Sequence, residues 1–340
     1  MKKIVLAAAM LAALHPAKAQ DIHFSQFYET SVLRNPALTG IFTEDVKAGV
    51  AYRNQWSSLG SPFQTMAATA ESRFALGREG VDYLTISGMF YTDKAGRAAL
   101  KTTGFYPSIN YNKSLSDPHN SFLSVGFTAG YQQRSFDLSR LTFDNMYQGG
   151  TVITAAGPGE NLPVNKLSYF DLGAGVSFNS GVGEDNRVVY FLGLSAFHFT
   201  QPRATFAAEG EIMNLATRWN SSIGVHITAS EIWSLQVHGN LALQGKYQEM
   251  LVGGLIRWCR TDPGNIQDFA LSGGLFYRLG DALIPTLKVE WSKLSLGLSY
   301  DVNTSDLKAA TKMRGGLEMT AFFKGFFGRD IHDRKTCPRF

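Results

Sequence analysis

The stretch 293–300, KLSLGLSY, decides the fold. Leu294, Leu296, Leu298 and Tyr300 share one parity, and Lys293, Ser295, Gly297 and Ser299 share the other. Successive side chains of a β-strand point to opposite faces, so the stretch has one apolar face and one polar face. The apolar face needs either a protein core or a lipid bilayer.

The same alternation recurs along the chain. Residues 120–131 place Leu123, Val125, Phe127, Ala129 and Tyr131 opposite Ser124, Gly126, Thr128 and Gly130. Residues 167–178 place Phe170, Leu172, Ala174, Val176 and Phe178 opposite Tyr169, Asp171, Gly173 and Gly175. Residues 232–242, 282–291 and 312–323 repeat the pattern. The period-two template yields about fourteen strands between residues 46 and 325. Most run to roughly ten to fourteen residues, against about 5–6 for soluble strands and ~9–11 for a tilted membrane-spanning strand. Pro285 and the strand glycines are the weakest points of this assignment.

Four features select lipid over core. The strands are long and even. The polar faces carry Lys288, Glu290, Lys293, Arg314 and Glu318, which suits a wet lumen. All five tryptophans, Trp56, Trp219, Trp233, Trp258 and Trp291, fall at or near strand ends, as in an interfacial aromatic girdle. A leader routes the chain to the compartment where such barrels assemble. Charged residues make up only 18% of the chain, below the ~25% usual for soluble domains. A fixed-period repeat of the solenoid kind is not found. The fold class expected is therefore all-β, a transmembrane antiparallel β-barrel, closed because backbone groups in hydrocarbon must pair internally. With an even strand count both barrel ends share the periplasmic rim, and the longer loops lie outside. The longest gaps, 134–165 and 199–216, follow the fifth and seventh strands; gaps such as 76–80, 229–231 and 292 follow even strands and are short.

The leader is MKKIVLAAAMLAALHPAKAQ. Lys2 and Lys3 form a basic start, 4–14 an apolar run, and Ala17-Lys18-Ala19 a cleavage signal that leaves Gln20 first. Removing residues 1–19 takes away Lys2, Lys3 and Lys18 and no acid, so the formal charge falls from +4 to +1. That near-neutrality gives no argument for a nucleic-acid partner. The remaining chain has no apolar run of membrane-helix length. Domain boundaries follow: signal peptide 1–19, pre-barrel segment 20–45, barrel 46–325 and a periplasmic tail 326–340. Localisation is the outer membrane, with the bilayer as the first partner.

Chemistry-bearing constellations are sparse. His198, His226 and His238 sit within or at the ends of strands, and Ser195, three residues before His198, should point to the opposite face. No metal cluster, nucleophile elbow or phosphate loop is recognisable, so catalytic, cofactor and metal residues are none, and the protein is read as a non-enzyme. GAGVSF at 173–178 reads as lumen-facing strand glycines. Cys259 and Cys337 match no zinc spacing. By strand count both fall on the periplasmic side, where a disulfide between them would pin the tail under the barrel.

The segment 20–42 is too apolar to stay solvated. Phe24, Phe27, Tyr28, Val32 and Leu33 need a partner surface, and Asn35-Pro36 favours a turn. Two compatible readings remain: a plug in the barrel mouth, or a docking segment for a periplasmic partner. The contact candidates are His23, Phe24, Ser25, Gln26, Phe27, Tyr28, Asn35 and Pro36.

HFSQFY at 23–28, NPALTG at 35–40, YRNQW at 52–56 and PFQTMAATAE at 62–71 together resemble the opening of the PorP/SprF family of the type IX secretion system of Bacteroidetes bacteria. The resemblance implies an outer-membrane barrel that helps export proteins or retain them at the cell surface. Its implied partners are type IX secretion components and secreted surface proteins, gliding adhesins among them, that carry a C-terminal secretion domain. A barrel of about fourteen strands is too narrow to pass a folded domain, which favours an adaptor or anchor over a conduit. The competing readings are a porin or hydrophobic-solute channel and an outer-membrane hydrolase.

Overall fold

The computed structural model describes residues 21–56, 62–76, 82–96, 99–116, 119–141, 146–148, 151–152, 165–204, 206, 214–260, 269–306 and 311–327. Fourteen antiparallel strands close into one barrel. They are β1 (Val46–Gln55), β2 (Phe63–Leu76), β3 (Asp82–Ala95), β4 (Leu100–Ser116), β5 (Ser121–Ser135), β6 (Lys166–Val182) and β7 (Val188–Phe197), then β8 (Arg218–Thr228), β9 (Trp233–Gln244), β10 (Tyr247–Arg260), β11 (Phe269–Arg278), β12 (Ala282–Trp291), β13 (Leu294–Asn303) and β14 (Arg314–Gly325). Each pairs with its neighbours in chain order, and β1 closes on β14 from Val46↔Gly325 to Gln55↔Gly316. A separate two-residue hairpin, Tyr147–Gln148 with Thr151–Val152, lies in the β5–β6 connection. No helix among the described residues is long and apolar enough to cross a membrane.

The alternation that suggested the strands is carried out in space. Leu296 and Leu298 are 55% and 46% exposed on the outer face, whereas Ser295 and Ser299 are 5% and 1% exposed on the inner one. Ile86, Phe105, Phe127, Phe170, Leu194, Ile223, Ile256 and Leu287 continue the exposed apolar band around the wall. An apolar surface encircling the molecule exceeds any ordinary soluble patch and has lipid as its natural medium. Trp233 and Trp258 face each other across β9–β10, and Trp291 ends β12 at the same rim. Trp219, near the start of β8, lies at the opposite rim.

β1 starts and β14 ends at one rim, here the terminal rim; the other is the loop rim. The connections 136–165 and 198–217 both leave from the loop rim, while 183–187, 229–232 and 292–293 turn at the terminal rim. Pro285 and Pro107 sit inside strands, each on the outer face. The pairing of β12 with β13 skips Ile284 and Pro285, and that of β4 with β5 skips Tyr106 and Pro107. An imino acid has no N–H to give the ladder, so each proline interrupts one pairing and leaves the other intact.

Two charges expected on the wet face lie elsewhere. Lys293 is exposed in the turn before β13, and Arg314, the first residue of β14, is exposed at the loop rim. Both stand at strand ends, where the alternation no longer holds a side chain inside. Glu290 is partly exposed and pairs with Arg257 at 2.7 Å, and the remaining two do not face free water. Lys288 and Glu318 are 8% and 0% exposed, because the lumen is filled.

Candidate functional site

Residues 21–45 run down the inside of the barrel. Asp21 lies beside His198 and Arg218 at the loop rim, and Asp45 enters β1 at the terminal rim. Hydrogen bonds or ion pairs join this segment to β1, β2, β4 and β6 to β14, and β3 and β5 complete the wall around it. Those two strands meet it through apolar packing of Phe24 and Val32 against Met89 and Tyr91, and of Pro36 over Gly126.

Ser25 and Gln26 form the upper anchor. The Glu318 carboxylate accepts the Ser25 amide at 2.6 Å and the Gln26 amide at 2.7 Å, one on each oxygen. The Ser25 hydroxyl donates to Asp301 Oδ1 at 2.6 Å and accepts from Arg53 at 2.6 Å and Arg278 at 2.7 Å. Arg53 also pairs with Asp301 at 2.7 Å and Glu318 at 3.2 Å, and Arg278 pairs with Asp301 at 2.9 Å. Buried charges survive only when paired and hydrogen-bonded, and here two guanidiniums and two carboxylates enclose one serine. The Gln26 amide nitrogen donates to Ser299, and its oxygen accepts from Thr320.

Below this, Phe27 packs edge-on against Phe276 at 5.9 Å, and Tyr28 stacks on both Phe276 and His238 at 5.3 Å. Glu29 lies between Lys47 at 3.1 Å and Lys288 at 2.6 Å, so β1 and β12 hold one segment carboxylate between them. A single helical turn, Ser31–Arg34, then brings Arg34 over the rings of Phe27 and Phe191 at 4.8 and 5.0 Å. Its guanidinium donates to Asn240 and to the carbonyls of Ile223 and Gly239.

The Asn35-Pro36 turn has a local cause and a matching seat. Asn35 is extended, as the residue before proline prefers, and its Oδ1 accepts the Ala37 amide at 2.8 Å to start a short 3-10 turn, Pro36–Leu38. Its amide nitrogen donates to the carbonyls of Val176 and Leu194, each at 3.2 Å. The seat is made of absent side chains. A Cβ at Gly126 would strike the Pro36 backbone, and one at Gly175 would strike Asn35 Oδ1. These two residues are paired across β5–β6. The Ala37 carbonyl accepts from Asn110 and Ser177, and the Gly40 amide donates to Glu71 at 2.8 Å.

At the loop rim His198 bridges two carboxylates, with Nδ1 2.6 Å from Asp171 and Nε2 2.6 Å from Asp21. Burial alone would lower the His198 pKa, but Asp21 and Asp171 outweigh it and raise it to about 9. Burial pushes the Asp21 pKa up, and the charges of His198 and Arg218 outweigh it and hold it well below the usual carboxylate range. Ser195 and His198 do not point to opposite faces. Both are buried inside, because β7 ends at Phe197 and His198 adopts φ 63°, which breaks the alternation. Ser195 donates to the Arg34 carbonyl, whereas the His198 ring meets Asp21 and Asp171.

The sequence-level contact candidates are thus brought together inside the barrel. Phe24, Ser25, Gln26, Phe27, Asn35 and Pro36 are buried against the wall, and His23 lies 3.7 Å from Glu249. Arg53, Arg278, Asp301, Glu29 and Lys47 were not singled out from sequence. Their inward parity was readable, but their pairing was not. Cys259 is buried at the terminal rim, its thiol donating to the Glu231 carbonyl; Cys337 and the tail beyond 327 lie outside the described residues. Among the described residues no group of three metal-ligating side chains occurs.

Two solved structures illustrate the shared fold. The chain matches the TodX monoaromatic hydrocarbon channel deltaS2 mutant with TM-score 0.53 and 8% identity, covering 88% of this chain and 94% of that one. It matches a Pseudomonas aeruginosa FadL homologue with TM-score 0.50 and 11% identity, covering 87% and 94%. Identities this low establish the shared barrel fold alone. No curated protein matches the chain. The family model described as "Type IX secretion system membrane protein PorP/SprF" matches residues 17–320, which include the lumen segment and nearly all the wall. The chain belongs to the PorP/SprF family of type IX secretion system membrane proteins.

Proposed function

We propose that this protein is a non-enzymatic outer-membrane component of type IX protein secretion, an adaptor or anchor for secreted surface proteins such as adhesins that carry a C-terminal secretion domain. The supporting observation is the lumen, occupied by the chain's own residues 21–45 from one rim to the other. A barrel so filled offers cargo its rims and its N-terminal segment rather than a passage. The four motifs that resemble the family lie in this segment and in β1 and β2, which grip it through Arg53 and Glu71. In this reading the segment is both plug and docking element, residues 1–19 are a cleaved leader, and the terminal rim faces the periplasm. A disulfide between Cys259 and Cys337 pins the tail beneath that rim, and mass spectrometry without reductant tests it.

Crosslinked cells are the test of the main reading. Pull-down of the barrel should co-purify secretion components and one surface protein, and deleting 20–42 should leave a heat-modifiable barrel without cargo display. Recovery of neither class of partner, or normal display after the deletion, would remove the adaptor role. A hydrophobic-solute channel is the alternative, and bilayer conductance by the intact chain would favour it.

A further inference from the structure

On the terminal-rim side of the lumen the segment and the wall enclose a cavity of about 30 Å³. That exceeds the ~10–15 Å³ a single water needs and is too small for an extended ligand. Its polar lining is basic: Arg34 from the segment, Lys47 from β1 and Lys324 from β14, with the side chains of Tyr28 and Ser31. The imidazole of His238 also lines it, and aliphatic and aromatic side chains form the remainder.

Three carboxylates, Glu29, Glu71 and Glu290, stand within electrostatic reach of these cations, but Glu29 and Glu290 are shared with Lys288 and Arg257. Glu29 reaches Lys47 but is shared with Lys288. Glu71 accepts the Gly40 amide on one oxygen. Arg34 donates only to neutral oxygens, and the Lys324 ammonium makes no hydrogen bond or ion pair within 4 Å among the described residues. The Tyr28 hydroxyl is buried and likewise has no hydrogen-bond partner among them. Cations and a spare hydroxyl around one apolar-walled volume attract negative charge strongly, because the low dielectric hardly screens them.

We propose that this cavity binds a small inorganic anion of chloride's size, held between Arg34 and Tyr28 of the segment and Lys47 and Lys324 of the wall. The anion would add to the Glu29 ion pairs a second electrostatic tie between the segment and the barrel, one that reaches Lys324. The inference rests on the segment's position in the lumen and is independent of the secretion role.

Crystals of the mature full-length protein grown with bromide in place of chloride test it. An anomalous peak is expected in the cavity for the wild type and is expected to vanish in Lys324→Met. In detergent the unfolding temperature should rise with chloride at constant ionic strength, balanced with gluconate, and Lys324→Met should lose that dependence. Should Lys324→Met fail to fold, Tyr28→Phe, which deletes only the hydroxyl, should weaken the same dependence. Water density without anomalous signal, or a chloride dependence unchanged in these variants, would overturn the site.

Discussion

Single residues set the conditions under which the segment stays in place. The charge on His198, with its pKa raised to about 9 against an ordinary 6.5, contributes its full stabilisation below about 6.5 and loses it as pH rises through about 9. The lowered pKa of Asp21 works the other way: its contribution is present above the ordinary carboxylate value of 3.8 and fades as pH falls below that. Protease access to residues near Asp21 should therefore be low and flat between these limits and rise on both sides. His198→Gln should abolish the alkaline rise, measured by limited proteolysis across pH. Arg53 is a harsher case. Arg53→Ala would leave Asp301 and Glu318 buried with one cation fewer, and breaking such a network costs about 3–5 kcal/mol. The measurable outcome is release of the segment, read as new thiol labelling at Ser25→Cys in the Arg53→Ala background. Neither pair was legible in the sequence. Arg53 and Asp301 are far apart along the chain, and parity says only that each points inward.

Elements were far more legible than their contacts. β12 occupies 282–291 as the alternation alone indicates, and the other strands differ mainly at their ends. Period two is imposed by the backbone and by the apolar medium together, so it survives even Pro285. It fails where the backbone leaves the extended region, as at His198, and at strand ends such as Arg314. The glycines of 173–178 were readable as lumen-facing, but their purpose appears only once the Asn35-Pro36 turn is seen resting on Gly175 and Gly126. Gly175→Val should expel that turn while sparing the wall, because Gly175 lies on the inner face of a long, fully paired strand. Cysteine labelling at Ala37→Cys, 0% exposed now, should go from absent to fast, with heat-modifiability unchanged.

For the whole molecule the medium on the outer face is the deciding quantity. Leu296→Arg should cost ~2–4 kcal/mol if that residue lies near the bilayer midplane, measured by folding into vesicles against denaturant. An equal cost in detergent-free aqueous folding would deny the bilayer. The same scale carries a consequence of chain direction. Asp21 is at the loop rim, and the chain descends from there to β1, so residues 21–45 enter the lumen from the rim opposite the one where β1 begins. Under the proposed orientation, with the terminal rim toward the periplasm, a leader held in the inner membrane would lie across the barrel from Asp21. If the proposed leader is cleaved, lumen filling would follow its removal, and peptidase cleavage would time the change from an assembling barrel to a sealed one.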